Sequence, residues 1–183
     1  MEPAFERKAS KFLSLILRHK PETVGLTLSP EGWVDTDKLL AQMGTHGVKL
    51  TFEELNYIVE TNDKQRFSFN PEKTEIRANQ GHSVNIDLGL IALAPPEVLY
   101  HGTATRFLVA IEKDGLKKMK RNHVHLTASL DTATLVGRRH GKLALLKIDA
   151  YKMNRDGFQF FLSDNGVWLT DNVPFAYIQI EKE

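Results

Sequence analysis

The 183 residues contain no cysteine. That excludes disulfides and thiolate chemistry and fits a reducing compartment. Long apolar runs are missing too. No stretch approaches the roughly 18 uncharged residues that a membrane span needs. The opening Met1-Glu2-Pro3-Ala4-Phe5-Glu6 lacks a basic start followed by an apolar run. We therefore expect a cytoplasmic protein that does not use the membrane as a partner. Charge excess is also absent: 24 Lys and Arg stand against 23 Asp and Glu, a net +1. This counts against a general nucleic-acid coat, so any phosphate recognition must come from a few placed arginines. Finally, no Gly-x-Gly-x-x-Gly follows a strand pattern and no Walker loop occurs, which argues against a Rossmann dinucleotide site and a P-loop.

What is present is an ordinary globular composition, 42% hydrophobic and 26% charged, in a chain long enough to bury roughly 70% of its unfolded surface. Ala94-Pro95-Pro96-Glu97 is the best boundary, because two prolines cannot continue a helix or a central strand. It divides the chain into residues 1–94 and 95–183. In the first part, Phe5, Ala9, Phe12, Leu13, Ile16 and Leu17 recur at helical spacing, and Pro21 stops that helix. Lys11, Ser14 and Arg18 share a separate polar stripe. Asp35 caps a second helix carrying Leu39, Leu40 and Met43. Thr51-Phe52-Glu53-Glu54 reads as a capping box for a third, with Leu55, Ile58 and Val59 inward. The period then changes to two around Phe67, Phe69 and Ile76, with a turn at Asn70-Pro71-Glu72-Lys73. Three helices and a hairpin are the layout of a winged helix-turn-helix module.

The second part reads as short strands with brief helices between them. Val98-Leu99-Tyr100 runs into His101-Gly102-Thr103, and Thr105 is placed to cap a helix closed by Gly115. Further strands are expected at 124–127, 143–148, 158–162, 167–170 and 177–180, with a helix from Asp131 to near Gly141. The fold class expected is α+β.

Four segments could carry chemistry, and each has a structural reading beside it. Arg18, His19 and Lys20 end a helix, where cations gain ~0.3–1 kcal/mol from its dipole; equally, Arg18 and His19 could clamp a phosphate, for which the arginine fork is suited. Asp63-Lys64-Gln65-Arg66-Phe67 is either a solvated strand edge or presents Arg66 to the same phosphate. In Arg121-Asn122-His123-Val124-His125-Leu126 the histidines lie two apart on a strand, but no third metal ligand is near. Ligand hydrogen bonding, with Arg121 on a phosphate, is the better reading. In His101-Gly102-Thr103, the glycine would let a ligand approach the backbone, although a satisfied turn histidine is the commoner case.

Together these segments resemble the RNA (tRNA) 2′-phosphotransferase family over nearly the whole chain. The matching stretches are Ser10-Lys11-Phe12-Leu13-Ser14, Leu17-Arg18-His19-Lys20-Pro21-Glu22, Glu31-Gly32-Trp33, Asp63-Lys64-Gln65-Arg66-Phe67, Gln80-Gly81-His82-Ser83, Leu99-Tyr100-His101-Gly102-Thr103, Arg121-Asn122-His123-Val124-His125-Leu126 and Asn165-Gly166-Val167-Trp168-Leu169-Thr170. The resemblance implies an N-terminal winged-helix RNA lobe joined to a C-terminal ADP-ribosyltransferase-like, β-rich lobe that binds NAD as co-substrate. It implies a catalytic set of Arg18, His19, Arg66 and Arg121 around the phosphate, and an NAD pocket lined by His101, Gly102 and Thr103. The signature triad of that fold would read His101, His125 and Val167, an apolar residue standing where many protein-modifying members have glutamate.

The implied reaction has two steps. The RNA 2′-phosphate attacks the anomeric carbon of the nicotinamide ribose and expels nicotinamide, giving an ADP-ribosylated RNA. A ribose hydroxyl then attacks phosphorus, releasing 2′-OH RNA and ADP-ribose 1″,2″-cyclic phosphate. The first nucleophile is already an anion and needs no base; alignment can supply ~7–11 kcal/mol. The second step needs charge held on phosphoryl oxygens, which the three arginines provide without a metal, and a proton that His19 can handle. The partners expected are RNA with an internal 2′-phosphate and NAD, with no obligate protein partner. The alternative is a mono-ADP-ribosyltransferase acting on a nucleic-acid or protein acceptor, which would not need three guanidiniums. A winged-helix regulator fits poorly, since the third helix carries Glu53, Glu54 and Glu60 and no Lys or Arg.

Overall fold

A computed structural model describes residues 1–62 and 64–181. Asp63, one residue of the Asp63–Phe67 stretch, lies outside the described residues. The chain mixes helices with antiparallel sheets and forms two compact units, Met1–Gly89 and the chain from Leu90 on.

In the first unit, α1 (Pro3–Arg18) buries Ala9, Leu13, Ile16 and Leu17 along one face. His19 and Lys20 still donate to the Leu15 carbonyl; Pro21, which has no N–H to give, then closes the helix into a short 3-10 turn. The two-residue strand β1 (Val34–Asp35) leads into α2 (Thr36–Thr45), whose cap is the Asp35 side chain accepting from the Lys38 amide. The helix α3 (Phe52–Glu60) starts on the reciprocal Thr51–Glu54 capping box. The hairpin strands are β2 (Phe67–Phe69) and β3 (Glu75–Ala78), and β1 adds to the far side of β3 with Val34 opposite Ile76. A short β1 is not visible as a pattern because two residues cannot show alternation. Leu13, Ile16, Leu39, Met43, Leu55, Ile58 and Ile76 form the core, each at most 2% exposed. Full burial of one such side chain is worth ~1.5–3 kcal/mol.

In the second unit, β4 (Val98–Ala104) runs on through His101, Gly102 and Thr103 as one seven-residue strand. The helix α4 (Leu108–Asp114) has no side-chain cap: Thr105 enters a 3-10 turn instead, while Gly115 (φ 72°) closes the helix as expected. Then come β5 (Leu116–Lys117), β6 (Val124–Leu126) and α5 (Leu130–Arg138). The cap of α5 is Ser129, accepting from Thr132, so Asp131 sits in the first turn rather than at its start. Next are β7 (Leu143–Asp149) and α6 (Ala150–Arg155), a helix capped by Asp149 that the sequence reading does not contain. The chain continues through β8 (Phe161–Leu162), β9 (Trp168–Thr170), β10 (Asn172–Val173) and β11 (Ile178–Glu181). Phe158 and Tyr177 fall outside the strands expected to hold them; Tyr177 ends a 3-10 turn.

The sheets are β11-β7-β4, β6-β9-β8 and β10-β5, all antiparallel. A bridge between Tyr100 and Thr127 ties β4 to the chain leaving β6. The helix α5 lies against β4 so closely that a Cβ on Gly102 would overlap the Ala133 carbonyl oxygen. Glycine at 102 is therefore required by helix-on-sheet packing, a reason distinct from ligand approach.

Candidate functional site

In the first unit the site residues gather where α1 ends. Arg18 Nη2 donates to the Arg66 carbonyl (3.4 Å), and its guanidinium lies 5.9 Å from the Phe67 ring centre. The Arg66 carbonyl also accepts from the Asn79 amide at 2.9 Å. The guanidinium of Arg66 is held by Asn62, whose Oδ1 accepts from Nη1 at 3.1 Å and from the backbone amides of Lys64 and Arg66. Gln65 takes φ +41° to make that turn. The segment after β3 returns to the same place: the Ser83 amide donates to the Arg18 carbonyl (2.9 Å), and Ser83 Oγ pairs with His19 Nδ1 at 2.9 Å. Arg18, His19 and Arg66 are thus brought together, each half-buried.

Beneath them lies His82, 2% exposed. Its pKa falls to about 4, chiefly because burial disfavours the imidazolium, and further because Arg18, His19 and Arg77 are cations nearby. It is a neutral ring at physiological pH. His82 Nε2, Asn79 Oδ1 and Gln80 Oε1 are buried with no hydrogen-bond partner. Such atoms cost ~1–3 kcal/mol each and mark a place where a bound group would find hydrogen bonds. Asn62, Asn79 and Ser83 were not singled out individually by sequence. The one signal was the Gln80-Gly81-His82-Ser83 stretch, which carried no role.

In the second unit three of the chosen residues form a chain. His101 Nδ1 lies 2.9 Å from the His125 carbonyl, which can only accept, so the proton is on Nδ1 and Nε2 keeps its lone pair. Burial, first of all, lowers the His101 pKa; His140 and Arg121 add to this, against the bond to His125. Arg121 Nη1 donates to His125 Nδ1 at 3.1 Å, so His125 in this geometry carries its proton on Nε2. Gly102 and Thr103 follow on β4, with Thr103 7% exposed. Val167 stands just before β9, its amide and carbonyl both bonded to the buried Ser163 hydroxyl. His123 tilts against the Phe161 ring, 5.7 Å between centres.

Among the described residues no helix is long and apolar enough to cross a membrane, and no group of three or more His, Asp or Glu is arranged to hold a metal ion.

Comparison with known proteins identifies the family. The family model described as RNA 2′-phosphotransferase, Tpt1/KptA family, matches residues 5–172. A protein of Flavobacterium johnsoniae named "Probable RNA 2′-phosphotransferase" is 49% identical over 181 residues, covering 99% of this chain and all of its own. Proteins of the same name from Trichormus variabilis and Rhodopirellula baltica are 51% and 52% identical, covering 98% and 92% of this chain and 99% and 92% of theirs. A match spanning both units, with half the residues identical, leaves one conclusion: the chain belongs to the RNA 2′-phosphotransferase, Tpt1/KptA, family of transferases.

Proposed function

We propose that this transferase removes an internal 2′-phosphate from RNA by passing it to NAD as co-substrate. The products are 2′-OH RNA, nicotinamide and ADP-ribose 1″,2″-cyclic phosphate. The observation that carries the reading is the grouping of Arg18, His19 and Arg66 at the end of α1. Two guanidiniums fixed by carbonyl and amide partners, beside an imidazole fixed by Ser83, suit a phosphate monoester. Residues 1–94 act as a winged-helix RNA lobe and residues 95–183 as an ADP-ribosyltransferase-like lobe.

NAD, when bound, supplies an anomeric carbon whose leaving group is nicotinamide. The second unit's residues fit such a ligand. The lone pair on His101 Nε2 can accept from a ribose hydroxyl, and the ring is kept uncharged by burial. His125 is oriented by Arg121, so its Nε2–H is a donor. Val167, apolar where a base would otherwise stand, is consistent with a nucleophile that arrives ionised. Arg18, Arg66 and Arg121 hold charge on the phosphoryl oxygens, and His19 delivers a proton to the departing RNA oxygen.

The test is incubation with a short 2′-phosphorylated RNA, NAD and a chelator. One NAD consumed and one nicotinamide released per phosphate removed is the expected result. Inorganic phosphate released without NAD would contradict the reading. A product that stops at ADP-ribosylated RNA would instead mark a mono-ADP-ribosyltransferase.

A further inference from the structure

A groove of about 390 Å³ runs along the exposed side of α1, between that helix and the turn before β2. Among the described residues Arg7, Lys11 and Arg66 line it, with Ser10, Ser14 and the acidic Glu6. Positions 7, 11, 14 and 18 fall on one stripe of the helix, opposite the core face of Ala9, Leu13, Ile16 and Leu17. From Arg7 to Arg18 the stripe climbs ~16 Å, at 1.5 Å per residue, so it leads from the helix start to the catalytic cluster. The side chains are those that contact nucleic-acid backbones: cations and hydroxyls. Among the described residues no aromatic ring lines the groove, so they offer no platform on which a base could stack.

We infer that this groove is a track for the phosphodiester backbone of RNA flanking the reacting 2′-phosphate, gripping phosphates and reading no bases. The inference rests on the function proposed above. It gives a chain with a net charge of only +1 a local means to hold RNA: Arg7, Lys11 and Arg18 share one stripe of α1. It also makes recognition independent of flanking sequence, because neither guanidinium nor hydroxyl contacts to phosphate carry base information.

The experiment has two readouts on the full chain. In the first, fluorescence anisotropy follows a single-stranded oligonucleotide without a 2′-phosphate, against wild type and the Arg7→Ala/Lys11→Ala double variant. Both residues are exposed, and an Arg7→Lys/Lys11→Arg variant controls for the loss of the long side chains. Affinity should fall at least 10-fold in the alanine variant and persist in the charge-conserving one. The slope of log affinity against log salt should lessen by ~1.4, that is ~0.7 for each lost contact to a single strand. In the second, kcat/KM is compared for a 2′-phosphorylated dinucleotide and for the same junction with two further nucleotides on each side. The advantage of the longer substrate should shrink about 10-fold in the alanine variant. Unchanged RNA affinity and unchanged length advantage in that variant would overturn the inference, as would a wild-type preference of more than about 10-fold among flanking base sequences. Failure of the wild type to turn over either substrate, with RNA binding lost in the alanine variant, would count against the proposed function and leave the groove assignment standing.

Discussion

The two side-chain clusters are built from similar residue types and tuned in opposite directions. In the first unit the candidate residues are cations, Arg18 and Arg66, and among the described contacts the Arg66 carbonyl accepts from Arg18 and the Asn62 side-chain oxygen from Arg66. In the second unit the central residue is an imidazole, His101, which burial keeps uncharged. Its Nδ1–H is committed to a backbone carbonyl and its Nε2 is an acceptor. A site for a phosphate needs fixed positive charge. A site for sugar hydroxyls needs oriented neutral donors and acceptors. On the function proposed above, this difference in protonation and partners is what would fit the first cluster to a phosphate and the imidazoles of the second to sugar hydroxyls.

The comparison can be broken most severely at Arg18. Arg18→Ala should lower the overall rate ~10²–10³-fold, the usual cost of one lost electrostatic donor. Arg18→Lys should recover only part, since a point charge lacks the bidentate fork. Steady-state rates of RNA dephosphorylation check both.

The next effect lies beneath that cluster. His82 has a folded pKa of about 4 against an ordinary value near 6.5. Below pH 6.5 the unfolded chain takes up a proton that the folded chain refuses, so stability present at neutral pH is lost as pH falls toward 4. The full difference is of order 3 kcal/mol. Denaturant unfolding at pH 7.5 and 4.5 should show wild type losing that much more stability than His82→Gln. Equal losses would mean that the ring is not buried neutral.

A smaller effect is expected in the second unit. Gly102→Ala must push α5 away from β4, at a cost of ~1–3 kcal/mol for overpacking, and NAD affinity should weaken with it. Smaller still, His101→Ala removes one hydrogen-bonding group and should weaken NAD binding by roughly 10-fold, the worth of ~1.4 kcal/mol. Calorimetric titration with NAD measures both, and RNA affinity should move with neither.

The same contrast runs through what the sequence made legible. The helices of the first unit were readable because their signals are local: Asp35 and the Thr51–Glu54 box lie within three residues of the groups they cap. In the second unit β4 extends to Ala104 because β7 pairs with it along its whole length, and Leu143, the partner of Ala104, lies 39 residues away (143 − 104). The helix α6 escaped because its cap, Asp149, is also the last residue of a strand. At the candidate site, the residue types were legible, and so was one meeting: Arg18 does bond to Arg66, which the sequence reading sent to the same phosphate. The residues that aim them were not. Ser83 reaches His19 across 64 positions, and such side-chain bonds leave no period in a sequence.

The most direct test separates the two clusters in a single experiment. A gel-resolved time course with 2′-phosphorylated RNA and limiting NAD should be run for wild type, Arg18→Ala and His101→Ala. If the first unit manages phosphate charge and the second holds NAD, Arg18→Ala will accumulate a slower-migrating, ADP-ribosylated RNA after releasing nicotinamide. His101→Ala will enter the reaction slowly, recover with added NAD and accumulate nothing. Identical profiles for the two variants, or passage of Arg18→Ala through the second step at wild-type speed, would contradict the account.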